Sequence, residues 1–183
     1  MDRAKVMPML KGVLVLAVIA LCSGLLLGAF NILTYVDPLQ STLDGFREDS
    51  GATGEFTMIL DEKTESGPGT VIYYAVSETD GIHAFLSSAI SQRGGEFQLF
   101  VYIRDSQIYK IVVGENNDEY VKNLTDAGFF ERFYGVDLAE LDPQLGGDIV
   151  TGATYTSNAV KNAVDAVVQY YNTNVAAGGE NNG

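Results

Sequence analysis

The chemistry this chain can offer is concentrated in one stretch, Asp148-Ile149-Val150-Thr151-Gly152-Ala153-Thr154-Tyr155-Thr156-Ser157. Half of these residues carry a hydroxyl, and Gly152, lacking a Cβ, lets a ligand approach the backbone closely. The stretch stands just before an amphipathic helix. From Asn158 the apolar positions Val160, Ala163, Val164, Val167, Val168 and Tyr171 recur at helical spacing. A hydroxyl-rich turn feeding a helix N-terminus suits a phosphate, because exposed backbone N–H groups and the positive end of the helix dipole favour an anion. The competing reading is a helix cap, with Thr156 or Ser157 satisfying the first turn. Both can hold together.

Elsewhere the chain is poor in reactive groups. There is one Cys (Cys22), one His (His83) and no Trp. That count rules out an intrachain disulfide, an iron–sulfur cluster, a C-x-x-C-H haem site and a His-rich metal centre. The chemistry therefore rests on hydroxyls, carboxylates or a borrowed organic cofactor. A Thr hydroxyl needs an activating base or a metal before it becomes a nucleophile. His83 is the one candidate base at neutral pH, and it falls on a strand, where it reads as a packed or surface residue. With no paired acid and base and no dinucleotide fingerprint, no catalytic or metal-binding residue is assigned, and the chain does not read as a complete enzyme. Arg104, Lys110 and Lys161 read as solvated surface charges.

The net charge of −13 is unevenly spread. Residues 1–36 hold Arg3, Lys5 and Lys11 against Asp2, a net of +2, so the remainder carries −15. A domain that acidic repels phosphate backbones, which argues against a nucleic-acid partner. No charge interrupts the 25 positions from Gly12 to Val36, enough to span the roughly 30 Å hydrocarbon layer of a bilayer as a helix. A cleaved signal peptide is disfavoured because Leu25-Leu26-Leu27 prolongs the apolar run past Cys22-Ser23-Gly24. A lipid anchor on Cys22 is disfavoured by Leu21 before it. A retained transmembrane helix fits best. The basic residues precede it and Asp37, Asp44, Glu48 and Asp49 follow, so the positive-inside bias puts the N-terminus in the cytoplasm and the acidic domain outside. Gly24 and Gly28 form a small-xxx-small face available to a neighbouring helix.

The elements that must position the hydroxyl stretch follow from periodicity. Pro38 to Phe46 predicts a juxtamembrane helix and Ser50–Gly54 a linker. Alternation predicts strands at Glu55–Asp61, with Phe56, Met58 and Leu60 on one face, and at 70–77, 82–91, 96–104 and 107–113. The loop Glu65–Gly69 and turns at Asp80-Gly81, Gly94-Gly95 and Asp105-Ser106 separate them. In the fourth strand Phe97, Leu99, Val101 and Ile103 face away from Phe100 and Tyr102. Thr125 and Asp126 then offer caps to a helix carrying Phe129, Phe130 and Phe133 as core residues. The expected fold is α+β: one transmembrane helix and a single extracytoplasmic domain of four or five antiparallel strands with packed helices. The organisation is a cytoplasmic tip and helix at 1–36, a juxtamembrane segment and first strand at 37–69, the main domain at 70–172, and a flexible tail at 173–183.

Asp148 to Thr156 matches D-x-x-[ST]-G-A-T-x-[ST] at every fixed position, and in this the chain resembles the FMN-binding domain family that carries covalently attached flavin. One membrane helix joined to one such domain is similar to the G subunit of Rnf-type electron-transport complexes and to a relative of it, the C subunit of the sodium-translocating NADH:quinone reductase. Gly81–Leu86, the Gly94-Gly95 turn, the strand pair after it, Phe130–Gly135 and the closing helix follow the family's order. The resemblance covers residues 70–172 and the anchor. It implies that Thr154 is esterified through its hydroxyl to the FMN phosphate by a separate flavin transferase using FAD and magnesium. It further implies that Asp148 and Thr156 belong to the motif the transferase recognises, and that Thr151, Gly152 and Ala153 shape the turn. One loop departs: many family members carry Glu-Thr-Pro-Gly-Leu-Gly near the flavin ring, where this chain has Gly114-Glu115-Asn116-Asn117-Asp118-Glu119-Tyr120. Tyr120 can stack on the flavin or pack on the sheet.

The function so implied is electron relay by covalent FMN within an ion-translocating ferredoxin:NAD oxidoreductase complex, with other membrane subunits as partners. The alternatives are a free-standing extracytoplasmic electron shuttle and a non-redox ectodomain in which Thr151–Ser157 only caps a helix.

Overall fold

The computed structural model describes residues 3–35, 37–92, 95–114, 116 and 118–177. They form two compact units, Met1–Ser41 and Thr42–Gly183. The first is dominated by α1 (Arg3–Thr34), whose 32 residues extend about 48 Å. Side chains from Lys11 to Tyr35 are exposed, and successive apolar residues such as Val13, Leu14, Val15 and Leu16 leave no polar face. Its most apolar window has a mean hydropathy of 2.7, so α1 is long and apolar enough to cross a membrane by length and composition. Asp37 then accepts the Leu39 N–H at 2.9 Å and opens α2 (Pro38–Ser50), with Pro38 at its first position. The helix runs past the expected end at Phe46.

Six strands form one antiparallel sheet: β1 (Thr57–Leu60), β2 (Thr64–Ser66), β3 (Gly69–Ser77), β4 (Ile82–Ser91), β5 (Gly95–Arg104) and β6 (Gln107–Val113). The order is β1-β3-β4-β5-β6, with β2 also paired to β3. The extra strand β2 lies partly in the stretch read as a loop. It pairs Thr64–Ser66 back onto Gly69–Val71 through a turn in which Gly67 takes φ +56°. In β1 the register slips between Met58 and Leu60. Phe56, Met58 and Leu60 therefore do not share a face: the first two join the cluster around Phe46, and Leu60 packs on the opposite side. One extra residue in a strand turns every later side chain over.

The alternation of β5 holds as expected. Phe97, Leu99, Val101 and Ile103 join Val71, Tyr74 and Phe85 in the larger cluster, closed by α4 (Thr154–Tyr170) through Val160, Val164 and Val167. The other face carries Ile72, Ala75, Ile82, Ala84, Leu86 and Tyr102 beneath Phe46 of α2. The Phe46 ring stands edge-on to Phe100 and Tyr102 at 5.9 and 6.2 Å. Asp49 and Ser50 fasten that helix to the sheet: Tyr102 donates to Asp49 Oδ2 at 3.2 Å, Tyr109 to the Ser50 carbonyl at 3.4 Å, and the Lys110 ammonium to the Asp49 carbonyl. The fold is α+β, a sheet with a helix on each face.

The connection to α4 corrects a second expectation. A short helix α3 (Val121–Asp126) comes first, with Thr125 and Asp126 in its last turn rather than capping a following helix. Thr125 bonds back to the Val121 carbonyl and Asp126 pairs with Lys122. Gly128, at φ +60°, then ends it. Phe130–Phe133 make one 3-10 turn, and Phe129, Phe130 and Phe133 are buried as core. At the other end α4 continues into a widened helical turn at Tyr171–Ala176. Most of the expected tail, residues 178–183, lies outside the described residues.

Candidate functional site

The helix α4 starts at Thr154, four residues earlier than its apolar period indicated, so Thr154 is the first helical residue and Ala153 the flanking one. No side chain caps this end, and the cap assigned to Thr156 or Ser157 is not made. Both hydroxyls are buried and committed elsewhere. Ser157 Oγ donates to the Ala153 carbonyl at 2.9 Å and accepts the Val150 N–H at 3.1 Å, stitching the turn closed. Thr156 Oγ1 donates to Asp118 Oδ2 at 2.7 Å across 38 residues of sequence. Gly152 takes φ +84°, a left-handed conformation that favours glycine.

Thr154 is left exposed by this arrangement. It lines a shallow cavity of about 150 Å³ with Tyr120, Gly152, Ala153, Tyr155 and Thr156. Sites that enclose a drug-sized ligand run to roughly 300–1,000 Å³. This cavity suits the attached end of a larger molecule, whose remainder lies outside. A phosphate on Thr154 would meet the positive end of the α4 dipole. The donor set therefore fits the phosphate of FMN.

Thr151 and Asp148 do not line the cavity. Thr151 is exposed in the turn. Asp148 accepts the Ile149 N–H at 3.0 Å on one oxygen and pairs with the Arg132 guanidinium on the other. Its carbonyl accepts the Lys161 ammonium at 3.2 Å. Lys161 is 3% exposed and so is not the solvated charge expected of it. It sits two turns along α4 and secures the strand-like entry to the motif. Arg104, by contrast, is exposed and lies over the Tyr109 ring at 4.9 Å.

In the loop before α3 the sequence reading singled out Tyr120, which lines the cavity and packs against the core cluster, but gave no role to Asn116 or Asp118. Asn116 accepts the Asp118 N–H at 2.9 Å and donates to the Gly114 carbonyl at 2.9 Å. Asp118 Oδ1 accepts the Tyr120 N–H at 2.9 Å, while its Oδ2 holds Thr156. The recurrence of Asn and Asp at every second position is the local signal for such a chain of side-chain-to-backbone turns. Its docking onto α4 has no local signal.

His83 plays no part here. Its Nδ1 lies 2.8 Å from the Tyr74 hydroxyl, and its ring meets Tyr171 edge-on at 5.4 Å. Burial holds the imidazole below its ordinary pKa of 6.5 and, with the neighbouring tyrosines, pushes the Tyr74 phenol up. Tyr171 is at the far end of α4, about 25 Å along the helix from Thr154.

Residues 93–169 match the family model of the FMN-binding domain. The matched segment includes β5 from Gly95, β6, α3 and nearly all of α4, with Asp118, Tyr120 and the whole 148–157 stretch inside it. No curated protein and no solved structure matches the chain. The match supports an FMN-binding flavoprotein, and the exposed Thr154 and its small cavity lie inside the matched segment.

Proposed function

We propose that the chain is a membrane-anchored flavoprotein that carries FMN as a phosphoester on Thr154 and relays electrons within an Rnf-type ion-translocating complex. The observation that carries the reading is Thr154 itself, the exposed hydroxyl at the first position of α4, facing a phosphate-sized cavity inside the FMN-binding match. Attachment joins Thr154 Oγ to the FMN phosphorus of FAD, breaks the pyrophosphate P–O bond, releases AMP and frees the hydroxyl proton. Among the described residues the cavity lining holds no His, Asp or Glu. The adjacent Asp118 already accepts two hydrogen bonds. Activation of the hydroxyl therefore belongs to a transferase and its metal.

Bound FMN supplies reversible one- and two-electron transfer. The chain's own residues hold it: Gly152 lets the phosphate approach the backbone closely, and Ser157 closes the turn behind it. Cys22 lies in α1, so no thiol in the 42–183 unit offers another redox route. A covalent bond keeps the cofactor on a domain exposed outside the cell, where cytoplasmic flavin does not reach. The basic N-terminus and acidic domain support that topology.

The test is the intact mass of the full-length chain co-expressed with a flavin transferase. A gain equal to FMN less one water, absent in Thr154→Ala, is the expected result. An unmodified wild-type chain beside a control substrate that is modified would overturn the attachment. Co-purification of the labelled chain with several polytopic membrane subunits is the expected sign of the complex. Recovery of the labelled chain alone would favour the free shuttle.

A further inference from the structure

The motif's last hydroxyl, Thr156, is 1% exposed and so is out of reach of an enzyme reading the surface. Its bond to Asp118 joins α4 to the loop that precedes α3. Asp118 uses its other oxygen to hold the Tyr120 N–H, and Tyr120 and Thr154 line the same cavity. Thr156, Asp118 and the Tyr120 backbone thus form a continuous path from the buried face of α4 to a half-buried residue that packs against the core cluster and also lines the cavity of the attachment hydroxyl.

We infer that Asp118 and Thr156 are positioning residues that latch the Asp118–Tyr120 turn to α4 and hold the Tyr120 ring against the isoalloxazine of FMN carried on Thr154. The inference rests on the attachment proposed above. The latch is a hydrogen bond to a carboxylate from a buried donor, stronger than a neutral pair and costly to break at one end. The phenol supplies a flat apolar face at a site whose cavity is too small to enclose the ring system itself.

A Tyr ring stacked on a flavin quenches its fluorescence by photoinduced electron transfer from the phenol, and this gives a readout that a merely structural role would not move. The experiment uses the full-length chain in detergent, labelled by co-expression with a transferase, and reads fluorescence per covalently attached flavin. Tyr120→Leu is expected to raise it severalfold. Thr156→Val and Asp118→Ala should raise it similarly and add nothing on top of Tyr120→Leu, while Thr156→Ser keeps the wild-type value. Asp118→Asn, which retains one acceptor oxygen and the side-chain volume, should fall between and serves where the alanine variant does not fold. Unchanged fluorescence in Tyr120→Leu, or in both latch variants, overturns the inference while leaving the attachment intact. Flavin retained in Thr154→Ala overturns the attachment itself, whatever the latch variants do.

Discussion

Replacing Gly152 by Ala separates two roles that one glycine can play in this motif. The residue sits at φ +84°, and a Cβ built on it meets nothing within 4 Å. Its cost is therefore purely local. A left-handed conformation costs a non-glycine residue roughly 1–2 kcal/mol. Loss of glycine's freedom in the unfolded chain returns about 0.4–1 kcal/mol. The net destabilisation is about 1 kcal/mol, or a fall in Tm of about 3 °C for a unit of this size. Gly152→Asn should lose less, because Asn tolerates the left-handed region. Flavin attachment should rank differently. If the backbone at 152 must lie close to the phosphate, attachment slows with side-chain size, so Asn is worse than Ala although it is the more stable variant. Thermal unfolding of the full chain in detergent, followed by tyrosine circular dichroism, gives the first quantity, and the time course of the mass gain gives the second. A loss of more than about 3 kcal/mol for Ala would refute the open space around Gly152. Attachment to Gly152→Asn at the wild-type rate would refute the close approach.

Two further perturbations follow from the geometry. Ser157→Ala leaves the half-buried Val150 N–H without its acceptor at 3.1 Å, at a cost of about 1 kcal/mol, and Tm should drop accordingly; an unchanged Tm would show that the turn is held by other means. Asp80 is held down to about 2 from 3.8, first by the Gly54 N–H and then by the Thr53 and Ser77 hydroxyls. Its folded pKa is depressed, so its contribution is complete above about pH 4 and disappears as the pH falls toward 2. Asp80→Asn should flatten the dependence of Tm on pH across that window, and parallel curves for variant and wild type would refute the assignment.

Much of the unit's framework follows from short-range pattern. The two faces of β5, the strand span 82–91, the apolar stripe of α4 and the membrane-length run of α1 all depend on periods of 2.0 or 3.6 that a few neighbouring residues establish. The motif around Thr154 is equally local, because a glycine, a small residue and a hydroxyl in sequence describe one turn. Reading failed where a distant contact overrode the period. The slip between Met58 and Leu60 is decided by pairing with β3, and it sends Leu60 to the opposite core. Thr156 has the composition of a cap, yet Asp118, 38 residues away, accepts its hydrogen bond and leaves the helix end open. Lys161 looks like a surface charge on an amphipathic helix until the Asp148 carbonyl folds over it. The sequence by itself determined which residues can carry a phosphate and which stripes must be buried. Only the tertiary structure decided that Thr154 is exposed on the cavity beside Tyr120, while Thr156 and Ser157 are buried and Thr151 lies off that cavity. Hydrogen-bond partners are chosen by what packing brings within 3 Å, and nothing in a linear pattern encodes that distance.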